Sequence, residues 1–119
     1  MAKRPDDAAF VEDALQRLGP VEVRAMFGGY GVFLDGVMFG LIADGDLYLK
    51  VDDVNRADFA AAGLGAFVYA GKDRPTTMSY HRAPEPIEDW RILEPWVRGA
   101  VAAACRAHVA KRSRGSSPT

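Results

Sequence analysis

The alternation of apolar and polar residues predicts a run of short β-strands in the first half of the chain. The stretch from Val23 to Val51 reads VRAMFGGYGVFLDGVMFGLIADGDLYLKV, and Gly28-Gly29, Asp35-Gly36 and Asp44–Asp46 separate its apolar runs. Gly-Gly and Asp-Gly between apolar runs favour tight hairpin turns, because these turns need residues with positive φ. The pattern therefore predicts a meander of four antiparallel strands.

The lengths of these turns predict which side chains share a face of the sheet, because side chains alternate along a strand. We expect two-residue loops at Gly28-Gly29 and Asp35-Gly36 and a three-residue loop at Asp44–Asp46. The first face is then a core face, with Val23, Ala25, Phe27, Tyr30, Val32, Leu34, Val37, Phe39, Leu41, Ala43, Leu47, Leu49 and Val51. The second face carries Arg24, Met26, Gly31, Phe33, Met38, Gly40, Ile42, Tyr48 and Lys50.

Gly31 and Gly40 are neighbours on this second face and predict a shallow trough between apolar side chains and the cations Arg24 and Lys50. One interpretation is a half-exposed sheet in which glycine accommodates the strand twist. The other is a contact surface for a partner or a small anion.

Apolar residues at helical spacing predict three helices. The first stripe is Phe10, Val11, Ala14, Leu15 and Leu18, which Gly19-Pro20 ends. A short second helix runs from Val54 to Ala62 and buries Phe59. The third begins no earlier than about Arg91, because Pro95 is tolerated only in a first turn. Its predicted buried stripe is Trp96, Val97, Ala100, Val101, Ala104, Cys105 and His108.

Two further strands, Phe67–Tyr69 and Thr76–His81, are rich in aromatic and β-branched residues. The predicted order is α-β-β-β-β-α-β-β-α, an α+β fold of two layers in which the helices pack on one face of an antiparallel meander sheet. We expect residues 1–110 to form a single domain and residues 111–119, KRSRGSSPT, to form a disordered polar and basic tail.

Composition and charge restrict the function classes. The 119 residues include 15 Lys and Arg against 16 Asp and Glu, a formal net charge of -1. This balance argues against strong direct nucleic-acid binding, which needs many phosphate contacts. Cys105 is the single cysteine and suits a reducing compartment. No apolar run approaches the ~20 residues of a membrane span and the N-terminus lacks an apolar signal core, so we expect a cytoplasmic protein without membrane contact.

Residue types that carry chemistry are present, but they lack the context that catalysis needs. Gly29-Tyr30-Gly31 is followed by Leu34 where a dinucleotide fingerprint needs its third glycine. Ser79 and His81 share a predicted strand, but no strand-to-helix turn presents a nucleophile there. We therefore predict no catalytic residue and no cofactor.

Two other sets of residues are of types that bind metals or phosphates. Cys105 and His108 on one helix do not make a tetrahedral ligand set, so no metal is predicted. Cations around the last strands and in the tail offer a weak basic patch, to which Arg24 and Lys50 could add: Lys72, Arg74, His81, Arg82, Lys111, Arg112 and Arg114. The sequence does not show whether these side chains converge.

Three segments of the predicted meander resemble one known family: Arg24–Gly31 (RAMFGGYG), Asp35–Ile42 (DGVMFGLI) and Leu47–Asp52 (LYLKVD). With Phe67-Val68-Tyr69, Met78-Ser79-Tyr80 and the prolines near Pro84, they are similar to the N-terminal domain of the TfoX/Sxy proteins. The similarity extends over about residues 8–105, nearly the whole predicted domain.

The resemblance implies an α+β domain without known catalytic residues. The longer members of this family regulate natural competence and are thought to assist a cyclic-AMP-responsive activator at competence promoters. They carry a second, C-terminal domain, whereas this sequence ends at Thr119, so we expect a counterpart of their N-terminal domain alone. The resemblance thus supports the fold more strongly than the competence role.

The resulting prediction is a non-enzymatic regulatory or adaptor domain that contacts a protein, a component of transcription, through the second face of the sheet. The candidate interaction residues are Arg24, Met26, Gly31, Phe33, Met38, Gly40, Lys50 and Tyr80. Methionine, aromatic residues and arginine are enriched at protein interfaces. The alternatives are weak direct nucleic-acid binding through the basic patch and a small-anion site in the trough. A homodimer is compatible with each.

Overall fold

The computed structural model of the 119-residue chain describes residues 7–26, 29–70 and 75–115. Its elements are α1 (Asp7–Ala14), β1 (Val21–Met26), β2 (Gly29–Leu34), β3 (Val37–Ala43), β4 (Asp46–Lys50), α2 (Arg56–Ala61), β5 (Ala66–Ala70), β6 (Pro75–Arg82) and α3 (Trp90–Gly115). The predicted α+β class and order of elements are confirmed. The predictions made for residues 1–6, Phe27, Gly28, Lys72, Arg74 and residues 116–119 lie outside the described residues.

The strands of the described chain form one antiparallel sheet in the order β1-β2-β3-β4-β6-β5. The meander β1 to β4 is joined by the β5–β6 hairpin, because β6 pairs with β4. Leu34 pairs with Val37 across the predicted turn, in which Asp35 and Gly36 have φ of 52° and 81°. Positive φ at both turn residues is typical of the type I′ turn that Asp-Gly favours.

The turn between β3 and β4 is one residue shorter than predicted. Ala43 pairs with Asp46, and the turn residues Asp44 and Gly45 have φ of 51° and 82°. Asp-Gly therefore forms a two-residue turn with positive φ here as well, because this geometry matches the twist of the flanking strands. At the start of β2, Met26 pairs with Gly29, so Gly29 belongs to the strand rather than to the predicted turn.

A β-bulge in β3 changes the faces of the residues that follow it. Phe33 pairs with Met38, but the next residue of β2, Val32, pairs with Gly40. Phe39 is therefore an extra residue on β3, and the alternation of side chains shifts by one position after it.

The predicted faces of Gly40, Leu41, Ile42 and Ala43 are wrong for this reason. Gly40 and Ile42 share the core face, and Leu41 lies on the second face. The shorter turn after β3 then shifts the alternation back. Leu47 and Leu49 are consequently buried in the core, as predicted.

The helices pack on the face of the sheet that carries Val32, Phe39 and Leu49, which we call the helix face. Each helix contributes buried side chains to this core: Val11 from α1, Phe59 from α2, and Leu93, Val97, Ala100 and Ala104 from α3. Leu15, in the turn that follows α1, is buried in the same core. The predicted two-layer arrangement follows from this one-sided packing.

The helix α3 begins one residue before its predicted start and continues to Gly115, past residue 111, where the sequence predicts a disordered tail. Cys105 and His108 are exposed, so their assignment to the buried stripe is wrong. They lie where α3 leaves the core, and Val109 beside them is 64% exposed. Within the described residues, no helix combines the length and apolar character needed to span a bilayer.

The segment between β4 and α2 is fastened to the rest of the fold by two polar side chains. Buried Asn55 donates to the carbonyl oxygen of Lys50 at 3.1 Å and accepts from the amide of Asp52 at 2.8 Å. The Asp52 carboxylate in turn accepts hydrogen bonds from Arg106 Nε and Nη2 on α3, at 2.7 Å and 3.0 Å. The bidentate ion pair therefore ties the last helix to the end of β4.

This ion pair makes the stability of the domain dependent on pH. The hydrogen bonds from Arg106 lower the pKa of Asp52 below its usual range, and burial opposes them. A carboxyl group whose pKa is lowered by folding stabilises the protein above its unfolded pKa and loses that contribution as the pH falls through its folded pKa. We expect Arg106→Met to be less stable than the wild type at pH 7, by a margin that shrinks below about pH 4.

Urea unfolding of both proteins from pH 7 to pH 3 measures this margin. Arg98→Met is the matched control, because Arg98 also lies on α3 but, within the described part of the chain, pairs with Glu94 of the same helix. A margin for Arg106→Met that stays constant with pH would contradict the linkage.

Candidate functional site

The surface of the sheet opposite the helices carries most of the predicted interaction residues. We call it the open face, and it is formed by Arg24, Met26, Gly31, Phe33, Met38, Leu41, Tyr48, Lys50, Phe67, Tyr80 and Arg82. Seven of the eight candidate residues lie on it. Gly40 does not, because the bulge at Phe39 turns it to the helix face.

The predicted glycine trough is not formed. A Cβ built on Gly31 would lie 2.5 Å from Met26 Sδ, 2.9 Å from Phe33 Cε1 and 3.2 Å from Met38 Sδ, so these side chains already fill the space above the glycine. On the other side of the sheet, a Cβ on Gly40 would meet Val32 Cβ at 3.2 Å. The open face is therefore a raised apolar surface at this point, and the small-anion site predicted in the trough is not supported.

Among the described residues, three cations lie over aromatic rings of the open face. Arg24 Cζ is 4.5 Å from the ring centroid of Phe33. Lys50 Nζ is 5.2 Å from that of Tyr80, and Arg82 Cζ is 5.5 Å from that of Tyr48. Cations attracted to the faces of aromatic rings are held close to the sheet. The surface thus combines half-buried apolar side chains with positive charge in fixed places.

Two of these cations are neutralised on the same face and one is not. Arg24 lies 3.1 Å from Glu22, and Arg82 lies 3.1 Å from Asp46. In the described part of the chain, Lys50 has no carboxylate within salt-bridge distance. Its polar contact is a 2.7 Å hydrogen bond that its ammonium donates to the hydroxyl oxygen of Ser79.

Burial also acts on the polar groups at Lys50. It lowers the pKa of the Lys50 ammonium, while the more distant Asp52 carboxylate opposes that shift. It raises the pKa of the Tyr80 phenol, which is 8% exposed. Both shifts have the same cause, since a partly dehydrated site disfavours the charged form of either group.

Three cations considered for the predicted basic patch do not converge: Arg24, His81 and Arg82. His81 Nδ1 lies 2.8 Å from the carbonyl oxygen of Leu64, and its ring packs against Phe59 at 5.6 Å on the helix side. Arg24 and Arg82 are on the open face, but β2, β3 and β4 lie between their strands. With strands about 4.8 Å apart, these two cations are separated by roughly 19 Å.

The residues considered for chemistry also have separate surroundings. The hydroxyl of Ser79 is engaged by Lys50, whereas His81 contacts Leu64. Cys105 is an exposed free thiol. Within residues 7–26, 29–70 and 75–115, no group of three potential metal ligands comes together.

Sequence reasoning did not predict a cleft of about 500 Å³ between α2 and α3. Its apolar wall is formed by Phe59 and Trp96, whose rings meet edge to face at 4.8 Å, and Asp58 lies at its rim. The sequence prediction also omitted Leu41, Phe67 and Arg82 from the candidate interaction residues. A signal for Arg82 existed, because it lies two residues after Tyr80 and alternation puts both on one face.

The fold and the chain's similarities define its class. The family model for the TfoX N-terminal domain matches residues 13–104, and the chain belongs to that family. It is similar to protein Sxy of Escherichia coli strain K12, with 29% identity over 80 residues that cover 67% of this chain and 37% of Sxy. It is also 34% identical, over 74 residues, to DNA transformation protein TfoX1 of Aliivibrio fischeri strain ES114, covering 62% of this chain and 35% of TfoX1.

The chain therefore spans little more than a third of the length of the relatives it matches. The matched region contains β1 to β6 and most of α3, so the open face lies inside the shared domain. The resemblance inferred from the meander segments is confirmed. The role of the open face as an interaction surface stays a prediction.

Proposed function

We propose that this chain is a non-enzymatic regulatory domain that acts in the cytoplasm by binding a protein of the transcription apparatus through its open face. The observation that carries the proposal is the character of that face. It is rich in methionine, aromatic side chains and arginine, and no helix of the described residues packs on it. Residues of these types are enriched where proteins bind one another.

The relatives support the regulatory part of the proposal. One is named a DNA transformation protein, and the family is that of the TfoX N-terminal domain. We extend to this chain the role of a competence-regulator-like domain. The free thiol of Cys105 supports the cytoplasmic location, because exposed free cysteines suit a reducing compartment.

Protein is favoured over nucleic acid as the partner by the charges of the open face. Glu22 and Asp46 form ion pairs with Arg24 and Arg82 and so reduce the positive charge that these arginines present. A nucleic-acid surface instead presents several unpaired cations in reach of consecutive phosphates.

We expect a photo-reactive benzoylphenylalanine at position 33 to capture a protein in cells, because Phe33 is half-buried on the open face. The same amino acid at position 92 is the control, since Ile92 is 44% exposed on α3 away from that face. The adduct at position 33 should disappear when Arg24→Glu is added, while the melting temperature stays within about 2 °C because surface substitutions change stability little.

Mass spectrometry identifies the adduct, and titration of the two purified proteins then measures their affinity. Protein capture at position 33 alone, followed by binding that Arg24→Glu weakens at least about tenfold, is the expected outcome. Equal capture at positions 33 and 92, or capture of nucleic acid or only of a second copy of the chain, would overturn the proposal.

A further inference from the structure

Lys50 indicates what kind of partner would fit the open face, because its ammonium has no carboxylate partner among the described residues. Lys50 ends β4, and Gly40 pairs with Leu49, so the next residues outward are Phe39 on β3 and Lys50 on β4. Met38 precedes Phe39 on β3, and Tyr80 on β6 pairs directly with Lys50. The ammonium lies 5.2 Å from the ring centroid of Tyr80, so the cation stands against the apolar side chains of the open face.

A partner that covers this surface must also satisfy Lys50. The ammonium is already half-buried, and burial lowers its pKa. Removing its remaining water without supplying a counter-charge is strongly unfavourable. Lys50 donates to the oxygen of exposed Ser79, which leaves the hydroxyl proton of Ser79 available as a donor. Two donors, one of them charged, thus point to a single acceptor group.

We infer that the partner of the open face places a carboxylate against Lys50 Nζ and the hydroxyl of Ser79, with an apolar side chain beside it that packs on Met38 and Phe33. This inference rests on the proposed function, because it specifies the chemistry of the partner at the same face. A carboxylate can accept from both donors at once. The partner segment is therefore an acidic residue next to a large apolar one.

The source of the acid is a protein and not a phosphate backbone. Among the described residues, the open face carries the cations Arg24, Lys50 and Arg82 together with the carboxylates Glu22 and Asp46. A chain of phosphates laid across the face would meet both carboxylates. A peptide with a single acid and apolar neighbours meets only Lys50 and the methionine and aromatic side chains.

The test uses random twelve-residue peptides displayed on phage and selected on the full 119-residue chain. Enriched peptides are synthesised and titrated into protein with ¹³C-labelled methionine methyl groups, so that Met26 and Met38 report binding at the open face. We expect Asp or Glu beside Leu, Phe or Trp in these peptides. Lys50→Met should raise Kd at least about tenfold, and Lys50→Arg should restore most of the affinity.

Arg98→Met on α3 is the matched control and should leave Kd unchanged. Replacing the acidic residue of the peptide by its amide should not raise Kd further for Lys50→Met. The carboxylate and the Lys50 ammonium form one interaction, and that variant has already lost it. The melting temperature of Lys50→Met should equal or exceed that of the wild type, since a partly dehydrated charge is removed.

The outcomes separate this inference from the proposed function. If the peptides that shift the Met26 and Met38 signals lack an acidic residue, or bind Lys50→Met as tightly as the wild type, the inferred carboxylate contact is wrong. The open face is then still an interaction surface. Selections that yield no peptide shifting these signals overturn both. A DNA duplex that shifts the Met26 and Met38 signals with a lower Kd than any peptide also overturns both the inference and the proposed function.

Discussion

Replacing Phe59 by alanine is expected to lower the free energy of unfolding by about 3–5 kcal/mol. Phe59 is 1% exposed and joins three parts of the fold. It lies on α2, meets Trp96 of α3 edge to face at 4.8 Å, and meets His81 of β6 at 5.6 Å. Its removal leaves a cavity that these rings cannot fill without separating α2 from the sheet, so the loss includes both transfer and cavity terms.

Urea unfolding at pH 7 measures this loss. Val54→Ala is the matched control, because Val54 lies just before α2 and is 70% exposed. We expect it to change the free energy of unfolding by less than about 0.5 kcal/mol. A loss below about 1 kcal/mol for Phe59→Ala would show that α2 does not contribute to the common core.

Gly29→Ala is expected to lower the free energy of unfolding by about 3 kcal/mol, for a different reason. A Cβ on Gly29 would overlap the carbonyl oxygen of Ile42 on β3. That oxygen belongs to the backbone beside the Tyr30–Ile42 pair, so it can move only if β2 and β3 separate there. The close approach of two strands thus requires a residue without a side chain.

Gly31→Ala is the control within the same strand. Its Cβ would press on Met26, Phe33 and Met38, whose contacting atoms are the ends of side chains and not backbone. These side chains can rotate, so we expect a loss of less than about 1 kcal/mol. Thermal and urea unfolding of the two variants compares them directly, and equal losses would contradict the distinction between backbone and side-chain contact.

The order of elements could be predicted because most elements are marked locally, although α1 ends at Ala14 and not at the predicted Gly19-Pro20. Asp35-Gly36 forms the expected turn with positive φ at both residues, and the helical spacing before Gly19 and around Phe59 identifies α1 and α2. These signals depend on neighbours in the sequence, and they need no knowledge of the rest of the fold.

The faces of the residues that follow Phe39 in β3 could not be predicted, because they depend on a bulge. Nothing in the run Val37–Ala43 marks Phe39 as the extra residue. The position of the bulge is set by packing, since it lets both Phe39 and Ile42 reach the core. This one residue moved Gly40 out of the candidate site and brought Leu41 into it.

The sequence predicts which residues belong to the candidate site but not which of them contact one another. Arg24, Phe33 and Lys50 were identified from alternation within the meander. The pairing of Lys50 with Tyr80 and its hydrogen bond to Ser79 join residues about thirty positions apart, and such contacts depend on which strands become neighbours. Alternation within a strand carries no information on that choice.

The pairing of β4 with β6 has a consequence for the order in which the open face is assembled. The meander and the β5–β6 hairpin each consist of strands adjacent in the sequence, so both can form after short loop closures. Their joining requires closure of the segment that contains α2 and β5. Tyr48–Arg82 and Lys50–Tyr80 lie on that seam and are also two of the three cation–aromatic pairs that the described residues form on the open face. Local opening of the seam would therefore dismantle the open face while the meander and the hairpin each stay folded.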